Sequence, residues 1–338
     1  MSAAPIILPA RATTREIGTL FLERHRHSPG TWFCLDVFDT LVHRRCTPEA
    51  VTRAVLRDGV SILKEAGIAI EEAGALRARG AALARAVASS RARGLDGDTT
   101  LEAWCRIWAD QMAPSLAPRE RDLVAGRLQA AEEAYEREAC VANPDMLEAC
   151  RTLAASGARL AFVSDMYLSA AAVRSILDAC GYAGMFEQGF TSGDEGYLKR
   201  TGRLFPRVAE RLGVGPGGMV HAGDDPEADL LRPRRAGVEA GVQADAAADG
   251  GAQQPDHLAD QRAHVQGAGV EPLAAGEGEE LRGEQGAALG GQADRFQPPR
   301  EGRGRQALRR GLALQQPQVA EDDSQQVVEV MRHAGGEL

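Results

Sequence analysis

The sequence has 338 residues and is short of lysine, of aromatic side chains and of long apolar runs. Of 39 basic residues only Lys64 and Lys199 are lysines, leaving 37 arginines. Aromatics make up 4 % of the chain. No apolar run approaches the roughly 18–20 residues that span a bilayer, which excludes a membrane-spanning helix. The start, Met1–Arg11, holds a short apolar stretch at Ile6, Ile7 and Leu8 with no basic region before it, and does not read as a signal peptide. An excess of positive charge is missing too. The net charge of −9 speaks against nucleic acid or a membrane surface as partner, since both require clustered Lys and Arg. There is no CxxC and no Cys/His cluster with zinc spacing. Cys34, Cys46, Cys105, Cys140, Cys150 and Cys180 read as reduced, mostly buried thiols of a cytoplasmic protein. The oligomeric state is not legible.

The composition changes sharply near residue 240. Residues 241–338 contain no Lys, Ile, Asn, Cys, Trp or Tyr, and hold 14 of the 17 Gln and 16 of the 38 Gly. Their charge is 9 − 16 = −7, which leaves 30 − 32 = −2 for the first 240 residues. A segment with so few large side chains buries little apolar surface, so a disordered tail is expected, with short helices at Gln306–Leu314 and Ser324–His333. An out-of-frame continuation of a GC-rich coding sequence is the alternative.

What is present in residues 31–240 is an alternation of short apolar strands with helices. Strands are expected at Thr31–Val37, Arg159–Val163, Met185–Thr191 and Met219–Ala222, with a fifth starting at Ala236–Ala240. Residues 48–140, rich in Ala, Arg, Glu and Leu, read as several helices broken near Gly94–Asp98 and Pro114–Pro118. Thr47-Pro48-Glu49 supplies a helix start, and Asn143-Pro144 closes the region. Further helices are expected at Asp145–Ser156, Ala170–Cys180 and Leu204–Leu212. The pattern predicts an α/β fold, a Rossmann-like parallel sheet with helices on both faces. Ligands of such sheets bind beyond the carboxyl ends of the strands.

Four polar clusters fall at those ends. Asp36 and Asp39, in Leu35–Leu41, put carboxylates at the tip of a buried strand, as nucleophile or metal ligand or as a plain turn cap. Ser164-Asp165 follows the second strand, where a hydroxyl and turn amides suit a phosphoryl oxygen, or where either residue caps a helix. Lys199 lies in a loop bounded by Gly196 and Gly202, as a compact point charge or an ordinary surface lysine. Asp224, Asp225 and Asp229 follow Gly223; clustered carboxylates suit Mg²⁺, or else cap a solvated helix. His221 reads as a packed or hydrogen-bonded residue rather than a catalytic one.

Together the clusters resemble the haloacid dehalogenase-like (HAD) hydrolase superfamily over about residues 31–240. The resemblance is closest to a subgroup of hydrolases with FDxFDTL and SDMYL motifs. The matching segments are CLDVFDTL (34–41), SDMYL (164–168), KRTGRLF (199–205) and HAGDDPEAD (221–229). The resemblance implies a core at 31–46 and 141–240, a helical cap inserted at 47–140, and a leader at 1–30. It implies that Asp36 attacks a phosphoryl group to form an aspartyl-phosphate. Ser164, Asp165 and Lys199 would hold the phosphoryl oxygens. Mg²⁺ would bind Asp36, the backbone carbonyl of Phe38 and Asp224, with Asp225 and Asp229 in its outer shell.

The expected function is a Mg²⁺-dependent phosphatase acting on a small phosphorylated metabolite. One position departs from the family. The acid–base Asp two residues after the nucleophile is replaced by Phe38, and Asp39 stands one residue further on. A dehalogenase-type hydrolase, and a non-catalytic binding module or damaged copy, are therefore the alternatives.

Overall fold

The computed structural model describes residues 8–243. The expectations for residues 1–7 and 244–338 lie outside the described residues. The central sheet has six strands in the order β1–β8–β7–β2–β5–β6. They are β1 (Arg11–Ala12), β2 (Trp32–Leu35), β5 (Arg159–Ser164), β6 (Gln188–Thr191), β7 (Met219–Gly223) and β8 (Glu239–Gln243). Every neighbouring pair is parallel. This is the predicted α/β sheet.

The sheet is apolar on both faces, which is why β2 reads as the unbroken run WFCL. Side chains alternate across a strand. Phe33 and Leu35, with Leu160, Phe162 and Val220, join one core, into which helix α1 (Thr14–His27) sends Ile17 and Phe21. Trp32 and Cys34, with Ala161, Val163 and Met219, join the other, covered by Leu204, Phe205, Val208 and Ala209 of α9 (Leu204–Leu212).

Two differences from the sequence reading concern the ends of the domain. Residues 11–27, expected within a leader, instead build β1 and α1. Thr13 and Glu16 form a reciprocal capping box, and Ile17 and Phe21 are buried one turn apart. The final strand β8 runs to Gln243, beyond the composition break, because Val242 still packs inward and pairs with Arg11.

Between β2 and β5 the chain leaves the sheet through β3 (Val42–Arg44) and returns through β4 (Cys140–Ala142), an antiparallel pair. The four helices between them are α2 (Pro48–Glu65), α3 (Glu72–Ala92), α4 (Leu101–Met112) and α5 (Pro118–Ala139). They fall in the stretch expected as an inserted cap; the breaks after α3 and α4 fall at the expected glycine and proline segments, whereas the break between α2 and α3, at 66–71, is not an expected one. Thr47 precedes Pro48 as expected, but its side chain makes no capping hydrogen bond. Asn143 caps α6 (Pro144–Ala155) by accepting from the amides of Asp145 and Met146. Helix α7 (Ala170–Leu177) passes into a wide turn at 178–182, where Gly181 takes φ 94°. A short α8 (Ser192–Glu195) follows β6, and α10 (Arg232–Arg235) precedes β8. No helix among the described residues is long and apolar enough to cross a membrane.

Candidate active site

Strands β2, β5 and β7 lie side by side, with Leu35 level with Phe162 and Ala222. Their carboxyl ends therefore deliver Asp36, Ser164 and Asp224 to one edge of the sheet. The amide of Asp36 donates to the carbonyl of Ala222 at 2.9 Å, so the nucleophile loop begins still tied to β7.

Asp36, Asp224 and Asp229 meet there, with one carboxylate oxygen of each within 4.8 Å of the others. Lys199 Nζ reaches in and donates to Asp36 Oδ1 and Asp229 Oδ1, each at 2.6 Å. Lys199 is 3 % exposed and Asp36 7 %, so these charges are nearly dry. Burial alone would strip the proton from Lys199, but Asp229, Asp36 and Asp165 outweigh it and hold the ammonium charged. Burial pushes the Asp36 carboxyl well up, with Asp229 and Asp224 adding repulsion and Lys199 opposing. Asp224 is pushed up to about 6, by burial and by the charge of Asp229. Asp229 is held below the ordinary carboxylate range: burial raises it, but Lys199 and His221 prevail.

Asp229 is fixed on every side. His221 Nε2 lies 2.8 Å from its Oδ1 and the Asp225 amide donates to its Oδ2 at 3.1 Å. Since a carboxylate only accepts, the proton of His221 sits on Nε2, and burial keeps the ring neutral. Gly223 makes room for this carboxylate, because a Cβ there would stand 2.3 Å from Asp229 Oδ2. Thr40 donates to Asp224 Oδ1 at 3.3 Å.

The other expected residues take different posts. Ser164 is buried at the end of β5. The Asp165 carboxylate accepts the Lys199 amide at 2.6 Å and the Arg200 amide at 3.3 Å, so it holds the lysine loop. Burial pushes Asp165 up to about 7, against those amides and the Lys199 charge. Asp225 turns away from the carboxylate cluster: its Oδ1 accepts the amides of Glu227 and Ala228, and its Oδ2 pairs with Arg200 at 3.2 Å. Asp39 is half-exposed, 3.7 Å from His43 Nδ1, with its backbone at φ 61°. The Phe38 ring lies under the Arg44 guanidinium, 4.1 Å from it.

The sequence reading gave no site role to Asp96, Arg44, Arg79, Glu132 or Glu136. Asp96 holds the lysine loop from the α3–α4 connection. Arg44 Nε donates to Glu136 at 2.9 Å, Arg79 grips Glu132 through both nitrogens, and Tyr167 of the SDMYL segment donates to Glu132 at 2.7 Å. The Ala-rich helical context of Arg79, Glu132 and Glu136 carries no signal of which ones pair.

The donor set fits a hard divalent cation. With all three carboxylates ionised, one ammonium beside a neutral histidine would leave two negative charges uncompensated, and this repulsion adds to burial in pushing Asp36 and Asp224 up; a divalent cation would relieve it.

Among solved structures, the chain resembles a 2-haloacid dehalogenase from Pseudomonas syringae pv. tomato DC3000. The identity is 18 %, covering 70 % of this chain and 99 % of that one, with a TM-score of 0.46. It also resembles a predicted phosphoglycolate phosphatase from Haemophilus somnus 129pt, at 17 % identity over 63 % of this chain and 84 % of that one, TM-score 0.36. A third is the HAD-hydrolase YfnB from Bacillus subtilis bound to magnesium, at 16 % identity over 62 % and 86 %, TM-score 0.37. No curated protein matches the sequence. Residues 31–237, more than half of the chain, match the haloacid dehalogenase-like hydrolases, and the chain belongs to that family of hydrolases.

Proposed function

We propose that this hydrolase is a Mg²⁺-dependent phosphatase acting on a small phosphorylated metabolite, with Asp36 as nucleophile. The observation that carries the reading is the buried group of Asp36, Asp224, Asp229 and Lys199, three carboxylates that can ionise together only with a cation beside the lysine. In this reading an Asp36 oxygen forms a bond to phosphorus and the bond to the leaving oxygen breaks. Water then hydrolyses the aspartyl-phosphate, releasing phosphate and restoring Asp36. Lys199 and the Ser164 hydroxyl bind the phosphoryl oxygens. Asp39 gives a proton to the leaving oxygen and takes one from the incoming water, in place of the acid that Phe38 lacks. Asp36, the Phe38 carbonyl and Asp224 would hold Mg²⁺, with Asp229 close by, and the ion would supply charge neutralisation between the carboxylate and the phosphoryl dianion.

The test is hydrolysis of a panel of small phosphate esters with and without Mg²⁺, comparing the wild type with Asp36→Asn. Turnover is expected only for the wild type with Mg²⁺. Equal residual turnover in both proteins would remove Asp36 from the role. Phe38 favours two further readings. A dehalogenase would release halide from 2-haloacids in the presence of a chelator. A binding module would take up Mg²⁺ and orthovanadate without turning over any ester.

A further inference from the structure

The loop that carries Lys199, residues 196–203, is gripped from two sides. From the core, Asp165 accepts the amides of Lys199 and Arg200. From the connection between α3 and α4, Asp96 accepts the Leu198 amide at 2.9 Å, the Thr201 hydroxyl at 2.5 Å and Arg203 Nη1 at 2.6 Å. The Asp96 amide in turn donates to the Gly196 carbonyl at 3.0 Å. Gly196 sits at φ 75° with Leu95 against it; a Cβ there would stand 2.9 Å from the Leu95 side chain. Two consecutive amides, of Leu198 and Lys199, are thus held by carboxylates from the inserted helices and from the sheet. The Asp96 side chain is only 6 % exposed, while its partner Arg203 is half-exposed.

A lysine side chain is a long flexible stem, and where its ammonium stands depends on where its backbone is held. Here the ammonium must span Asp36 and Asp229, 2.6 Å from each. We infer that Asp96 is a positioning residue: it sets the Lys199 loop, so that seating of the inserted helices and placement of the lysine are one event. The Asp96 carboxylate lies below its ordinary range despite burial, because Thr201, Leu198 and Arg203 favour its charged form. The inference goes beyond the proposed phosphatase reading, and its kinetic arm rests on that reading while its exchange arm does not.

The experiment compares the full chain with Asp96→Ala, Asp96→Asn and Arg121→Ala. The last breaks an ion pair to Asp110 that lies within the inserted helices. Amide hydrogen exchange is followed by mass spectrometry over residues 197–203 and over α4. Turnover of para-nitrophenyl phosphate with Mg²⁺ is measured on the same preparations. In Asp96→Ala, exchange at 197–203 rises at least about tenfold while α4 is unchanged. Its kcat falls roughly 10–100-fold, as expected for a displaced catalytic group, with KM within about threefold. Asp96→Asn keeps an acceptor for the Leu198 amide, and its exchange lies between wild type and Asp96→Ala. Arg121→Ala matches the wild type in both measurements. Unchanged exchange at 197–203, or loosened exchange with unchanged kcat, overturns the inference. If the wild type turns over no phosphate ester, the phosphatase reading fails, and the exchange measurement alone decides the role of Asp96.

Discussion

Asp39 is the one non-glycine among the described residues with a left-handed backbone, at φ 61°. It turns the chain three residues after Asp36, where its amide donates to the Val42 carbonyl at 2.8 Å. Asp and Asn tolerate this region better than other side chains, because their short polar groups bond locally. The two tasks of Asp39, bending the chain and moving a proton, can therefore be separated by substitution. Asp39→Asn keeps the turn and its stability, yet lowers kcat by about 10²–10⁴-fold if the carboxyl is the acid–base group. Asp39→Ala destabilises by about 1–2 kcal/mol through the strained backbone. A wild-type rate in Asp39→Asn, measured at saturating para-nitrophenyl phosphate, would dismiss Asp39 from proton transfer. The order of residues was enough to place Asp36 and Asp39 at a strand end, since an apolar run stops there. The left-handed turn was not legible, because Asp is also the commonest of caps.

Between elements, the inserted helices meet the core through buried charge rather than apolar contact alone. Glu132 and Glu136 of α5 sit one turn apart. Glu132 is gripped by Arg79 of α3, Glu136 by Arg44 of β3, and the Tyr167 hydroxyl of the core donates to Glu132 at 2.7 Å with Glu136 3.3 Å away. Arg79 lies 4.3 Å from the Trp104 ring and Arg44 lies over Phe38. Two cations and two carboxylates balance here, so removing one member leaves a buried charge unpaired. Glu132→Ala is expected to lose about 3–5 kcal/mol, and Tyr167→Phe about 1–3 kcal/mol, in urea unfolding. A Glu132→Ala loss under about 1 kcal/mol would mean that Arg79 finds water and that the helices are not seated this way. The network also bears on Phe38. With Arg44 stacked on its ring, a carboxylate at position 38 would face that guanidinium and compete with Glu136. The sequence located two of the three breaks between these helices, but not their pairing. Arg and Glu at helical spacing look alike on a solvated face and on a buried one.

Over the whole molecule, the net charge of −9 says little about the site, because −7 of it lies in residues 241–338. The local balance decides how stability follows pH. Asp224 has a value of about 6 in the fold against an ordinary 3.8, so the native state binds this proton more tightly than the unfolded chain. Its contribution is full below about pH 4 and is lost as pH rises through 6, a loss of at most about 3 kcal/mol. Asp36, also raised, acts in the same direction. Asp229 is lowered, so its contribution is present above about pH 4 and constant from there to neutrality. His221, lowered by burial, works against Asp224, because its contribution is present above about pH 6.5 and is lost as pH falls from there through its lowered folded value. A single melting curve therefore mixes opposing slopes, and the difference made by Mg²⁺ is the cleaner quantity. A divalent cation requires ionised carboxylates and removes the repulsion that raises Asp36 and Asp224. The gain in Tm on adding millimolar Mg²⁺ should thus be small at pH 4.5 and grow steadily to pH 7. Asp224→Asn should reduce the gain at pH 7 and flatten its dependence on pH. A Tm gain that is equal at both pH values, or that survives intact in Asp224→Asn, would place the cation elsewhere than among Asp36, Asp224 and Asp229.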